Sequence, residues 1–184
     1  MKFTPQSIAD VVLIQPIFHG DDRGYFVETF RQDLFEKVVG YQVNFVQDNE
    51  SKSTKGVLRG LHYQLPPYTQ AKLVRVIEGS VLDVAVDIRK SSPTFGQHVA
   101  VELTGENKRQ LFVPHGFAHG FVVLSDSATF AYKVDNYYAP DHDRGIAFDD
   151  VRLNIDWELT MQELQLSDKD KTHPDLSDTT ELFE

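Results

Sequence analysis

Polar and aromatic side chains crowd five short segments of a chain that is otherwise dominated by alternating apolar runs: Gly20–Glu28, Gln47–Asn49, Arg59–Gln64, Gln70–Arg75 and Gly116–Phe121, with Tyr132-Lys133 and Tyr137-Tyr138 beyond them. Among these stand His62, Lys72, His119 and Tyr132. The chain has no cysteine, which excludes thiol nucleophiles, disulfides, iron–sulfur clusters and thiolate zinc sites. A His, a Lys and a Tyr gathered in one cavity suit proton abstraction beside a carbonyl. A neutral imidazole takes the proton, a fixed ammonium stabilises the enolate, and a phenol returns a proton from the opposite face. Such a base wants a carboxylate on its second nitrogen to fix the tautomer and steady the imidazolium. Each residue also has a plain reading: His62 as a satisfied core histidine, Lys72 as an edge residue whose ammonium reaches water, Tyr132 as core, and His119 as structural.

Metal chemistry is the competing use of histidines. His62, His115 and His119 supply the number that a metal-binding barrel needs, but not the pattern. His62 is followed by Tyr63 and Gln64 rather than by a second ligand two residues on, and no Glu follows at short spacing. His115 and His119 are four apart, a spacing that gathers ligands on a helix and spreads them along a strand. No metal is expected.

The elements that must hold these residues are strands. Short apolar or alternating runs separated by turn signals occupy Val43–Gln47, Val57–Gln64, Ala71–Ile77, Val81–Ile88, His98–Leu103, Gln110–Val113, Ala118–Leu124 and Ala128–Asp135. Glu78-Gly79 reads as a tight hairpin between two of them, and Ser91-Ser92-Pro93, Gly105-Glu106-Asn107 and Pro114-His115-Gly116 read as breaks. One helix is predicted at Gln32–Val39, with Leu34, Phe35 and Val38 on one face and Gly40 as the stop, and a weaker one at Thr160–Leu166. So many antiparallel strands need their edges closed, and a double-sheet jelly roll or barrel is the usual solution. In Ala71–Ile77, Lys72 shares a face with Val74 and Val76. In Val81–Ile88, Asp83 shares one with Val81, Ala85 and Asp87, so a barrel interior brings Lys72 near Asp83.

At 184 residues and 21.0 kDa, with 41% hydrophobic and 25% charged residues, the chain is a single globular domain in expectation. Its formal charge of −10 argues against polymeric nucleic acid as a partner. That charge is uneven, since nine acidic residues follow position 155 against only Lys169 and Lys171. The bland expectation for this tail is a solvated, partly frayed extension. No run approaches the ~18 apolar residues of a membrane span, and MKFTPQSIADVV lacks the apolar core of a secretion signal. The expected location is the cytoplasm, with no membrane partner.

Val57–Gln64, Gln70–Val76, Asp83–Arg89, Ser92–Gly96 and Pro114 with Gly116–Phe121 closely resemble the dTDP-4-dehydrorhamnose 3,5-epimerase family, over about Asp21 to Trp157. The resemblance implies a homodimeric, cofactor-independent, cupin-like jelly roll that epimerises C3 and C5 of the 4-keto-6-deoxy sugar carried on dTDP. It implies His62 as the general base, Lys72 over the enolate, Tyr132 as the opposing acid, and Asp170 in Leu166–Asp170 as the partner of His62. Arg59 and His119 are implied at the sugar or phosphates, and Gln47 and Asn49 around the thymine. Arg23, Phe26 and Glu28 are implied to reach across the dimer, and Tyr138 offers an aromatic surface to the thymine or sugar. His115, where Glu is commoner, and Phe148, where Trp is commoner, depart from the family pattern. Relatives that invert only one carbon would keep His62 and Lys72.

Overall fold

The computed structural model describes residues 1–184. In chain order the strands are β1 (Lys2–Pro5), β2 (Val12–Gln15), β3 (Phe18–Asp21), β4 (Gly24–Val27), β5 (Gln47–Thr54), β6 (Leu58–Gln64), β7 (Lys72–Glu78), β8 (Ser80–Asp87), β9 (His98–Thr104), β10 (Gln110–Val113), β11 (Phe117–Val123), β12 (Ser127–Val134) and β13 (Asp143–Gly145). The single α-helix, α1, is Gln32–Val39, between β4 and β5. Two antiparallel sheets form the jelly roll, one ordered β1-β2-β10-β7-β12-β5 and the other β13-β6-β11-β8-β9. The β3–β4 ribbon pairs with neither.

Alternation along the strands explains why the sheets stack. Val74 and Val76 of β7, Leu111 and Val113 of β10 and Phe130 of β12 meet Val81 and Ala85 of β8 and Phe117, Phe121 and Val123 of β11 in the central core. The residues between them point outward and are also buried. On one side Leu73 and Phe112 pack under α1, through Phe35. On the other, Leu82, Val84 and Val86 of β8 lie beneath Trp157 and Leu176 of the C-terminal tail. This double burial is why β8 is buried almost throughout.

Helix α1 matches its predicted span and ends on Gly40, whose φ of +84° closes the last turn through a 2.9 Å bond to the Glu36 carbonyl. Its inward face differs from expectation: Phe35 and Val39, four apart, face the sheet, while Val38 is exposed. The Phe35 ring sits 4.9 Å from that of Phe112, and its burial contributes about 2–3 kcal/mol.

Other expectations are corrected. Glu78-Gly79 is not a hairpin. Gly79, at φ +81°, carries the chain from one sheet to the other, and a Cβ there would fall 2.1 Å from the Ser127 carbonyl oxygen. Val43–Gln47 is not a strand: Val43 is drawn beneath α1 by Gln32, which donates to its carbonyl at 2.6 Å, and pairing starts at Gln47. Thr160–Leu166 makes one turn, closed by Glu163 on the Thr160 amide and hydroxyl. It then straightens because Gln165 exchanges backbone bonds with Gly56 and Leu58 at 2.8 and 3.0 Å. Nor is the tail frayed: Lys90 N donates to the Phe183 carbonyl at 2.9 Å, and Tyr63 Oη to that of Glu181 at 2.9 Å.

Candidate active site

A cavity of about 570 Å³ opens between the two sheets, and His62, Lys72, Tyr132, Arg59, His119, Asn49 and Asp170 all line it. Lys72 and Tyr132 project from β7 and β12 of one sheet. His62, Arg59 and His119 project from β6 and β11 of the other. Tyr132 and Lys72 therefore face His62 from the opposite wall.

Strand β6 carries two of these residues by breaking its own alternation. Arg59 and His62 are three apart, so a regular strand would aim them at opposite sheet faces. Opposite β11, however, His62 pairs with His119 and Arg59 with Phe121, so β6 spends one residue more than its partner. The extra residue is accommodated at Gly60, at φ +127°, where a Cβ would lie 2.5 Å from the Gly120 Cα. The bulge turns both Arg59 and His62 inward, while Leu61 and Tyr63 pack outward.

His62 Nε2–H donates to Asp170 Oδ1 at 2.5 Å, leaving Nδ1 as the basic nitrogen. Asp170 begins a 3-10 turn, Asp170–Thr172, in the tail. Ser167 Oγ donates to Asp170 Oδ2 at 2.7 Å, so both carboxylate oxygens are held. Burial acts to raise the Asp170 carboxyl, but the bonds from His62 and Ser167 outweigh it and keep it below the ordinary carboxylate range. The His62 side chain remains 30% exposed while that of Asp170 is only 5% exposed.

Burial pushes the Lys72 ammonium down to about 8, against the opposing pull of the Asp143 and Asp83 carboxylates. Lys72 is thus near Asp83, as the strand pattern anticipates. Asp143, on edge strand β13, went unsuspected, since nothing in its surroundings marks it: it pairs with Lys169 and accepts from Tyr138 Oη at 3.1 Å. Asp83 itself accepts from His119 Nε2 at 2.9 Å, one residue on β8 and one on β11. Burial lowers the His119 imidazole despite that carboxylate, so it is neutral. Burial likewise raises the Tyr132 phenol, with nearby Arg59 opposing, so Tyr132 keeps its proton at neutral pH.

Other predicted residues fall at the edge of the site or away from it. Gln47 donates to Asn49 Oδ1 at 2.8 Å along β5, and Arg59 is within 3.2 Å of Ser53 Oγ. Tyr138 lies outside the cavity lining. Arg23, Phe26 and Glu28 are not brought to the cavity of their own chain. Arg23 pairs with Asp21 at the tip of the β3–β4 ribbon, and Phe26 is 71% exposed. The three histidines weighed for metal do not converge either, since His115 turns away to Asp135 at 2.7 Å. The cluster that does form joins His62 and Asp170 to His173, unsuspected from sequence, with one ligand atom from each lying within 4.8 Å of the others. Phe148, the other departure, is buried in the outer core, where its carbonyl accepts from Trp157 Nε1 at 2.9 Å.

Comparison with known proteins gives the same assignment three ways. The family model described as dTDP-4-dehydrorhamnose 3,5-epimerase matches residues 5–178. A dTDP-4-dehydrorhamnose 3,5-epimerase of Shigella flexneri is 59% identical over 170 residues, covering 92% of this chain and 93% of that protein. A crystal structure of the Legionella pneumophila epimerase in complex with dTDP-4-keto-L-rhamnose superposes with a TM-score of 0.92 at 51% identity, over 96% of this chain and 93% of that one. A 3'-monoepimerase of Streptomyces bikiniensis, in complex with dTDP-quinovose, has a TM-score of 0.89 at 35% identity, over 94% and 87%. Sequence and fold agree over nearly the whole length, and the chain belongs to the dTDP-4-dehydrorhamnose 3,5-epimerase family.

Proposed function

We propose that this protein inverts C3 and C5 of dTDP-4-keto-6-deoxy-D-glucose to give dTDP-4-keto-L-rhamnose, a step toward dTDP-L-rhamnose. The observation that carries the reading is the His62–Asp170 pair facing Lys72 and Tyr132 across one cavity. The 4-keto group acidifies the C–H bonds on both sides of it, so one base serves both carbons if the sugar shifts between steps. His62 Nδ1 takes the proton, and Asp170 steadies the resulting imidazolium through Nε2. The Lys72 ammonium stabilises the enolate oxygen, and Tyr132 returns a proton to the other face. The C–H electron pair passes into the enolate and re-forms a C–H bond on reprotonation, so there is no net oxidation or reduction and no redox cofactor takes part.

Binding is assigned to the residues around this centre. Arg59 and His119 hold the sugar and phosphates, Arg59 through charge-assisted hydrogen bonds. Gln47 and Asn49 hold the thymine and its surroundings, and Tyr138 lies against the ring. Arg23, Phe26 and Glu28 serve a second copy of the chain. The ribbon that carries Arg23 and Phe26 stands free of both sheets and exposes Phe18, Tyr25 and Phe26, which supports a homodimer in which it crosses to the neighbour. Binding energy from the nucleotide then offsets the cost of orienting the small sugar. The absence of cysteine fits a reducing compartment, and we assign the protein to the cytoplasm; no helix is long and apolar enough to cross a membrane.

The likeness to a 3'-monoepimerase favours one alternative, inversion at a single carbon. Turnover of dTDP-4-keto-6-deoxyglucose in heavy water, followed by NMR of the product, separates the two. Deuterium at both C3 and C5 with inversion at both is expected. Label and inversion at one carbon would assign the mono-epimerase, and no exchange at either would overturn the proposal.

A further inference from the structure

His173 stands at the dyad and the proposed reaction has no use for it. Its side chain is nine-tenths buried, with 10% exposure, and Nε2 makes no hydrogen bond. That nitrogen nevertheless lies 3.5 Å from Asp170 Oδ1, the same oxygen that receives the His62 bond. The ring owes its place to Gly145, the β13 partner of His62 in register: a Cβ there would fall 2.3 Å from His173 Nε2.

We propose that His62, Asp170 and His173 form a binding site for a divalent transition-metal ion of the zinc type, and that the ion inhibits the enzyme by occupying its base. Two imidazole nitrogens and one carboxylate oxygen are a donor set that zinc accepts at about 2.0–2.2 Å, with a fourth position left open to the cavity. Ligand atoms around a tetrahedral ion lie ~3.3 Å apart. His173 Nε2 and Asp170 Oδ1 already have nearly that separation, the His62–Asp170 contact has to open, and one ligand atom from each of the three lies within 4.8 Å of the others. Coordination at His62 Nε2 forces the tautomer with hydrogen on Nδ1. The lone pair that takes the substrate proton is then lost, and Asp170 is withdrawn from it. The site itself stands on geometry alone, whereas its inhibitory effect rests on the catalytic reading of His62.

The test uses the full chain in three forms: wild type, His173→Phe, which keeps a ring on Gly145 without the nitrogen, and His173→Gln. Zn²⁺ binding is followed by calorimetry, Co²⁺ coordination by its visible absorption, and epimerisation with Zn²⁺ or with chelator. Wild type is expected to bind one ion per chain, to give a four-coordinate Co²⁺ spectrum, and to lose activity to Zn²⁺ in competition with substrate. Both variants are expected to turn over normally in chelator and to need at least about tenfold more Zn²⁺ for binding and inhibition. Absence of a stoichiometric site in wild type, or unchanged binding in both variants, would overturn the site. Binding without inhibition would overturn the inhibitory role and leave the site standing.

Discussion

Two histidines on the same cavity wall each carry an aspartate partner, and His62 and His119 pair directly across β6 and β11. His119–Asp83 is built within one sheet and is shut away, with side-chain exposures of 7% and 0%. His62–Asp170 is built across the sheet and the tail, from residues 108 apart in sequence, and its imidazole keeps 30% exposure. The contrast separates a His–Asp pair that the cavity can reach from one that it cannot. Burial holds His119 neutral and offers the substrate a fixed donor or acceptor, whereas His62 combines access to the cavity with a carboxylate that accommodates its protonated form.

The largest way to break this contrast is to remove His62, the base in the proposed reaction. His62→Ala should lower kcat by about 10³–10⁴, within the range of general base catalysis, with the melting temperature little changed. Asp170→Asn keeps the shape of the dyad and loses its charge, so kcat should fall by about 10²–10³ with KM nearly constant. His119→Asn should act on the other side of the comparison, raising KM by roughly tenfold while kcat falls less. Steady-state rates on purified variants check all three, and equal kcat losses at His119 and His62 would erase the distinction.

The pH dependence sharpens the contrast further. Lys72 must be charged to stabilise an enolate, and its ammonium titrates at about 8, so kcat/KM should fall as pH rises through that value. Lys72→Arg should sit on a lower plateau but lack that fall. The smallest effect concerns stability. His119 is held below its ordinary 6.5, so below that value the unfolded chain binds a proton that the folded chain refuses. Stability on its account is present above about 6.5 and is lost progressively as pH falls from there through the lower folded value, and His119→Gln should flatten that part of the melting profile.

Much of this arrangement is legible in residues whose neighbours obey simple periodicity. Alternation in β7 and β8 puts Lys72 and Asp83 on the inner face, and the structure has them there. Gly40 marks the end of α1 for a local, conformational reason. Strand β5 is not legible because Gln47–Thr54 is wholly polar: one face is exposed and the other contributes Asn49 to the site, so no apolar row announces it. The bulge at Gly60 defeats periodicity altogether, since only the register against β11 reveals that Arg59 and His62 share a face. Asp170 was reached through the family resemblance of its motif, and His173 not at all, because tail docking depends on tertiary contacts such as Gln165 against Gly56.

The central claim is that His62, supported by Asp170, removes the sugar proton while His119 does not. Solvent deuterium exchange into dTDP-4-keto-6-deoxyglucose, followed by NMR with wild type, His62→Asn, Asp170→Asn and His119→Asn, measures that step apart from product release. The account predicts rapid exchange in wild type, none above background in His62→Asn, strongly slowed exchange in Asp170→Asn, and retained exchange in His119→Asn at saturating substrate. Exchange at the wild-type rate in His62→Asn, or its loss only in His119→Asn, would contradict it.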